Sequence, residues 1–377
     1  MVQPAGLYIH IPFCQQKCEY CDFYSITTLE LMDGFVEALL REIARRAPQF
    51  QEFRFSTVFF GGGTPSLLSE THWERIWKAL HHHFTILPEG EFTLEANPGT
   101  VDREKLRFLR NLGLNRISFG AQSFNESELR FLGRIHDATA IRESVHAARE
   151  AGFTNVNLDL MTAFPGITPQ SFQHSLEEAV ALQPEHISCY TLIFEPGTVF
   201  YKRMERGELH PLSEEEEIRY YQQAESFLHQ HGYHQYEISN FARGRAFRCQ
   251  HNLIYWQYHP YLGLGPSAHS FVPPSRWGNV RSVIQYIRKL QADQFPLDFE
   301  ETLTPEQQML EFIFLHLRLK EGVPLRAFQE RFGQPLTSVY QKQIDTLLHK
   351  KVIHLTEEAL QLTPQGWYIA DEVATYF

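Results

Sequence analysis

The sequence is poor in cysteine: five in 377 residues, three of them within eight positions at Cys14, Cys18 and Cys21. The other two, Cys189 and Cys249, stand far apart and show no disulfide-framework spacing, so a reducing, cytoplasmic setting is expected. An excess of positive charge is also missing. There are 34 Lys and Arg against 45 Asp and Glu, a net charge of −11, which disfavours nucleic acid and anionic membranes as partners. No apolar run approaches the ~20 residues needed to span a bilayer. No basic stretch leads into an apolar one at the start, so neither a transmembrane segment nor a signal peptide is expected. A hydrophobic fraction of 43% and an aromatic fraction of 14% exclude extensive disorder.

The clustered cysteines, in Cys14-Gln15-Gln16-Lys17-Cys18-Glu19-Tyr20-Cys21, follow an alternating apolar run from Leu7 that reads as a strand. Pro12 ends that strand and opens a loop. Three thiolates from one loop can hold a metal or an iron–sulfur cluster. A four-iron cluster would keep one iron free of protein ligands, open to an external chelator. Other readings compete. Zinc wants four ligands in a closed site, and the nearest further donor is His10. A disulfide suits a reducing compartment poorly, and chance clustering of structural cysteines is the plainest alternative.

Six β-rich stretches recur with helical patterns between them: Leu7–Ile11, Ser56–Phe60, Glu91–Glu95, Arg116–Phe119, Asn155–Leu160 and His186–Leu192. Gly113 and Gly152 each end a helix shortly before a strand. Strand and helix in alternation predict a parallel sheet. Six units in about 200 residues fall short of the ~250 of a closed eight-unit barrel. The expected fold is therefore α/β, an open three-quarter (β/α)6 TIM-like barrel.

Residues suited to ligand binding follow each strand: the cysteines, Gly61-Gly62-Gly63-Thr64-Pro65, Glu95-Ala96-Asn97-Pro98, Gly120-Ala121-Gln122-Ser123, Asp159, and Glu195-Pro196-Gly197. In a parallel barrel these ends share one face, so six separate stretches are expected to line one pocket. Taken singly each is weak, since glycines after a strand usually make a turn and a strand-end Glu is usually a solvated rim residue. The glycines would admit a ligand close to the backbone. Glu95 or Asp159 could hold ribose hydroxyls. Gln122 and Arg134 could contact ribose or carboxylate groups.

C-x3-C-x2-C after a first strand resembles the signature of radical S-adenosylmethionine (SAM) enzymes. The wider L-Y-I-H-I-P-F-C-x3-C-x2-C-D-F-Y narrows the resemblance to the oxygen-independent coproporphyrinogen III oxidases and the heme chaperones akin to them. The resemblance implies that Cys14, Cys18 and Cys21 bind a [4Fe–4S] cluster whose fourth iron is chelated by SAM. It implies that Gly62, Gly63 and Thr64 meet the SAM amino group. Tyr8, Glu95, Gln122, Arg134 and Asp159 stand where SAM-contacting residues stand in that group.

From residue 201 to 300 the chain is expected to extend the barrel after the 1–200 core. Glu214–His231 reads as a helix and Tyr236–Ile238 as a further strand. Arg248 to Trp256 then places Cys249 and His251 among aromatics. Such donors can hold heme iron, or the segment can be an aromatic loop docking a second domain. H-N-x-x-Y-W resembles the chaperones' motif and implies His251 as heme ligand, with Cys249 the runner-up. From 301 to 377 a helix starting at Thr304-Pro305 and running to about Lys320, two short helical patterns and a two-stranded wing (Val352–Leu355, Leu360–Leu362) resemble a small winged-helix-like C-terminal domain. Seven basic and nine acidic residues from Thr304 to Phe377 leave no basic footprint for DNA. The run His81-His82-His83 reads as a solvated helix end.

Two departures separate the chain from the oxidases. Their fourth cysteine is replaced here by Phe23, and only six residues precede Leu7, too few for the oxidases' N-terminal arm. The resemblance thus implies heme binding and delivery to apo-hemoproteins, with a reducing electron donor. Decarboxylation of coproporphyrinogen III is the alternative, and radical SAM chemistry on another substrate a third.

Overall fold

The structure is a computed structural model, and it describes residues 4–377. Six parallel strands form its centre: β1 (Pro4–Ile11), β2 (Arg54–Gly62), β3 (Ile86–Ala96), β4 (Arg116–Gln122), β5 (Val156–Thr162) and β6 (His186–Thr191), adjacent in that order. Helices Met32–Arg46, Glu70–His83, Arg103–Leu112, Ala138–Glu150 and Pro169–Ala181 cross between them. Four of these start where the sequence supplies a capping oxygen. Ser69, Asp102, Asp137 and Thr168 each accept a backbone N–H of the first turn, a contact that typically contributes ~1 kcal/mol.

Alternation along the strands sorts the two faces. Leu7, Ile9, Ile11, Val58, Phe60, Leu94, Ile117, Phe119, Val156, Leu158 and Ile187 are fully buried in one core with the helices. The opposite face is largely polar and carries Tyr8, His10, Thr57, Glu91, Glu95, Arg116, Ser118, Asn157, Asp159 and Ser188.

The segment 201–300 adds strands to both edges of this sheet. β7 (His234–Glu237) and β8 (Asn240–Ala242) form a hairpin beside β6. The strand expected at Tyr236–Ile238 thus starts two residues earlier and ends one earlier. β9 (Tyr261–Leu264) runs parallel to β1, and β10 (His269–Val272), β11 (Ser275–Asn279) and β12 (Leu297–Thr302) follow antiparallel. The resulting twelve-stranded sheet has β12 and β7 at its edges and does not close. The fold is the open TIM-like barrel that the alternation predicts. The four strands β9–β12 have no counterpart in the expectation. β12, for one, buries no residue, and only Leu297-Asp298-Phe299-Glu300 alternates, too short a stretch to single out a strand.

The C-terminal unit begins at Thr304, which forms a reciprocal capping box with Gln307. Its first helix, Pro305–Leu317, ends before Lys320, and the wing comprises β13 (Val323–Pro324), β14 (Ile353–Leu355) and β15 (Ala359–Leu362). A second core gathers Phe312, Ile313, Phe328, Ile344, Leu347 and Leu360, and takes in Tyr258 and Phe271 from the preceding segment. His81–His83 close the Glu70–His83 helix, where His81 and His82 are exposed.

Candidate functional site at the strand ends

The cysteine loop leaves β1 at Pro12 and is pinned at its base. Cys14 N–H donates to the Ile26 carbonyl at 3.0 Å and Ile26 N–H to that of Pro12 at 2.8 Å. Within it Cys21 N–H turns back on the Cys18 carbonyl at 3.2 Å. All three thiols are free. Burial, then the neighbouring Cys18 and, less strongly, Cys14, push the Cys21 thiol up to about 11, so the three lie within electrostatic reach of one another. Among the described residues no three His, Cys, Asp or Glu meet tightly enough for a single metal ion. A four-iron cluster is wider than one ion and needs its cysteines correspondingly apart. Thr64 Oγ1 donates to Cys14 Sγ at 3.5 Å and Arg134 Nη1 to Cys18 Sγ at 3.3 Å. Such bonds to sulfur tune cluster thiolates, and the donor set fits a cluster.

The glycine run after β2 is required by crowding. A Cβ on Gly63 would stand 2.6 Å from the Phe13 carbonyl oxygen, and one on Gly62, whose φ is +105°, would stand 2.5 Å from the His10 ring. Gly63 and Thr64 N–H groups donate to the Ile11 and Phe13 carbonyls at 2.8 and 2.7 Å, which locks this turn beside the cysteine loop.

Glu95 and Asp159 are half-buried beneath these turns. Gly62 N–H donates to Glu95 at 3.2 Å. Burial and the neighbouring Asp159 carboxylate push Glu95 up to about 8. Asp159 is also raised by burial, although Ser118 Oγ at 3.0 Å and Asn157 Nδ2 at 2.7 Å donate to it. Arg134 Nη2 donates to Asn97 Oδ1 at 2.6 Å and to the Gly120 carbonyl at 2.8 Å, and Asn97 Nδ2 donates to Thr64 Oγ1 at 2.9 Å. Gln122 ends β4 with φ +68°. The structure thus brings Thr64, Arg134 and the first two cysteines into one network, with Glu95 and Asp159 beside each other on the inner face. Tyr8 lies on that face too, its hydroxyl donating to His10 Nδ1 at 3.0 Å, because His10 Nε2–H donates to the Tyr24 carbonyl at 2.8 Å.

Sequence reasoning missed Asn97 and His10 as parts of this network. Asn97 had a signal, its place two residues beyond Glu95. His10 had been weighed only as a zinc ligand.

His251 lies on the same inner face, towards the middle of the strands, its ring 6.4 Å from that of Tyr8. Its helix, Gln250–Trp256, is docked through the Glu91 carboxylate, which accepts the N–H groups of Gln250 and His251 at 3.1 and 3.0 Å. The ring is 1% exposed and stacks on Phe59 with centroids 5.0 Å apart. Nδ1 bonds Thr57 Oγ1 at 2.7 Å, and Nε2 bonds the Tyr255 hydroxyl at 2.8 Å. Burial, with a smaller contribution from Arg116, lowers its pKa to about 3. Cys249 is also buried, its thiol pushed up to about 12, mainly by burial.

Beside β1 an open cleft of about 520 Å3 runs from the end of the cysteine loop to β9–β12. Tyr8, Phe23, Tyr24, Tyr255, Tyr261 and Phe299 make it aromatic. His10, His269, Arg281, Asp22 and Asp298 also line it. Phe23, which the sequence offers only as a missing cysteine, is 68% exposed at this cleft.

The sequence pattern of the radical SAM superfamily matches residues 8–179, and that of the HemN C-terminal domain matches 303–369. The chain is 39% identical over 371 residues to the heme chaperone HemW of Bacillus subtilis, covering 97% of each. It is 40% identical to heme chaperone HemW of Synechocystis, covering 85% of this chain and 80% of that one. Among solved structures, the radical SAM enzyme coproporphyrinogen III oxidase (HemN) of Escherichia coli matches with a TM-score of 0.88 at 25% identity, over 100% of this chain and 90% of the other. No helix among the described residues is long and apolar enough to cross a membrane. With the radical SAM pattern over its first half and these relatives matched along nearly its whole length, the chain belongs to the HemW family of radical SAM proteins.

Proposed function

We propose that this protein binds heme and passes it to apo-hemoproteins in the cytoplasm, with a [4Fe–4S] cluster and SAM as resident cofactors. The observation that carries the reading is the relationship to the B. subtilis heme chaperone along 97% of both chains. Cys14, Cys18 and Cys21 would hold the cluster, leaving one iron to the amino and carboxylate groups of SAM. When reduced by an electron donor, such a cluster supplies one electron to the SAM sulfonium.

The chain's own residues would shape the pocket around it. Gly62, Gly63 and Thr64 bring backbone close to the amino group, since no Cβ intervenes at the glycines. Glu95 would hold its proton near neutrality and donate to a hydroxyl. Asp159, Gln122 and Tyr8 would complete the polar lining, and Arg134 would place a guanidinium beside Cys18.

The test is a hemin titration of anaerobically reconstituted protein followed by absorbance, then mixing with apo-myoglobin. A saturable Soret band that transfers to the globin is expected. Absence of saturable binding would sink the reading. A second reading, oxidative decarboxylation of coproporphyrinogen III, is favoured by the TM-score of 0.88 to the oxidase. Formation of protoporphyrinogen IX under anaerobic conditions with SAM and a reductant would decide for it.

A further inference from the structure

Resting on the heme-binding reading with His251 as the iron ligand, as the H-N-x-x-Y-W resemblance implies, we infer that Tyr255 is a displaceable cap on that ligand and that Thr57 fixes its tautomer. The iron comes to the ring, because the ring is held on three sides. Phe59 stacks on it with centroids 5.0 Å apart. A Cβ on Gly6 would stand 3.2 Å from its Cε1, so the backbone of β1 abuts its edge. Thr57, 0% exposed, bonds Nδ1 at 2.7 Å. The fourth side differs. Nε2 meets the Tyr255 hydroxyl at 2.8 Å, and Tyr255 is half-buried in the wall of the cleft of about 520 Å3.

A neutral imidazole has one N–H and one lone pair, and iron takes the lone pair. Nδ1 faces a threonine in the interior, so the nitrogen within reach of the cleft is Nε2. Its lone pair is free for iron only if the proton sits on Nδ1, where Thr57 Oγ1 accepts it. The Tyr255 hydroxyl then donates to Nε2. An acceptor on the far nitrogen is what orients a metal-ligating histidine and makes it more basic. The ring is thus in its binding form before any iron arrives, which lowers the cost of binding. Loading exchanges one hydrogen bond for one coordinate bond. The Tyr255 O–H to Nε2 bond breaks, an Fe–Nε2 bond forms from the same lone pair, and the iron loses a water. Tyr255 keeps its proton, the Thr57 bond persists, and no electron moves. The Tyr255 ring packs edge-on against Tyr261 with centroids 4.7 Å apart and has the open cleft beside it as room to turn. Run backwards, the exchange caps the histidine again as heme leaves, so Tyr255 favours release to an acceptor protein.

The experiment titrates hemin into reconstituted full-length protein and follows the Soret band, the rate of transfer to apo-myoglobin and, in the reduced complex, the iron–histidine stretch by resonance Raman. Circular dichroism and iron content check folding. Tyr255→Phe keeps the ring and removes only the cap. It is expected to bind hemin about fivefold tighter and to release it more slowly, since the unloaded state loses a hydrogen bond that the loaded state never had. A tyrosine that only packs would give unchanged or looser binding. Thr57→Val is expected to weaken hemin about tenfold or more and to lower the iron–histidine stretch, and Thr57→Ser to restore both. Unchanged or weaker binding in Tyr255→Phe, or a wild-type stretch in folded Thr57→Val, would overturn the inference. The Tyr255→Phe arm decides alone if Thr57→Val does not fold. His251→Ala separates the inference from its foundation. A histidine-ligated spectrum that survives in it overturns the inference while heme binding stands, and no saturable binding by wild type removes the heme reading itself.

Discussion

At the scale of single residues, Arg134 joins the two halves of the site. Its guanidinium reaches Cys18 Sγ, Asn97 Oδ1 and the Gly120 carbonyl at once. A lysine has a point charge and cannot span three acceptors. Arg134→Lys is expected to keep full iron content yet weaken SAM about tenfold or more, measured by calorimetric titration. Glu95 gives a pH signature. Its carboxyl ionises near 4.5 when exposed and about 8 when folded. Between those values the folded chain holds a proton that the unfolded chain has lost, so rising pH favours unfolding, by up to ~1.4 kcal/mol per pH unit. Glu95→Gln removes that slope. Between pH 5.5 and 7.5 the variant's denaturation midpoint is expected to fall less than that of wild type, and parallel curves would refute the shift.

Elements explain why those residues meet. The β2 turn is held between the two carbonyls of the chain leaving β1. Adding one methyl in Gly63→Ala forces its Cβ against the Phe13 carbonyl oxygen at 2.6 Å, and backbone neighbours are not flexible ends that can yield. A loss of ~1–3 kcal/mol is expected by urea denaturation, together with slower cluster reconstitution. The Gln250–Trp256 helix depends on a residue far away in sequence. Glu91, on β3, receives its first N–H groups. Glu91→Gln is expected to cost ~1–2 kcal/mol, and faster hydrogen exchange in residues 249–257 is the readout.

The whole molecule joins two cores through a shared seam. Tyr258 and Phe271 come from the sheet extension yet are buried in the C-terminal core. Phe271 packs tilted against Tyr258 with centroids 4.7 Å apart, and Tyr258 meets Phe312 edge-on at 5.8 Å. Phe271→Ala is expected to destabilise the C-terminal unit by ~3–5 kcal/mol. Hydrogen exchange would then quicken across residues 305–373 while β1–β6 keep their protection. Uniform acceleration would mean that the two cores unfold as one.

How much of this was legible depended on the range of the interactions. Strand–helix alternation, glycine ends at Gly113 and Gly152, the Thr304 cap and the Cys14–Cys21 spacing are local patterns, set by backbone geometry within a few residues. They gave the parallel barrel and the side of it that carries the polar ends. Parallel topology then implied that Glu95 and Asp159 would share the inner face across β4, because Glu95 is in register with Ser118, and Ser118 with Asn157, two residues before Asp159. Tertiary packing alone decided the rest. β9 pairs with β1 across some 250 residues of chain, which nothing in either segment announces. His251 is placed by Thr57, Glu91 and Tyr255. Its motif told only that a histidine and aromatics lie together, and burial, a property of the whole sheet, turned the ring inward.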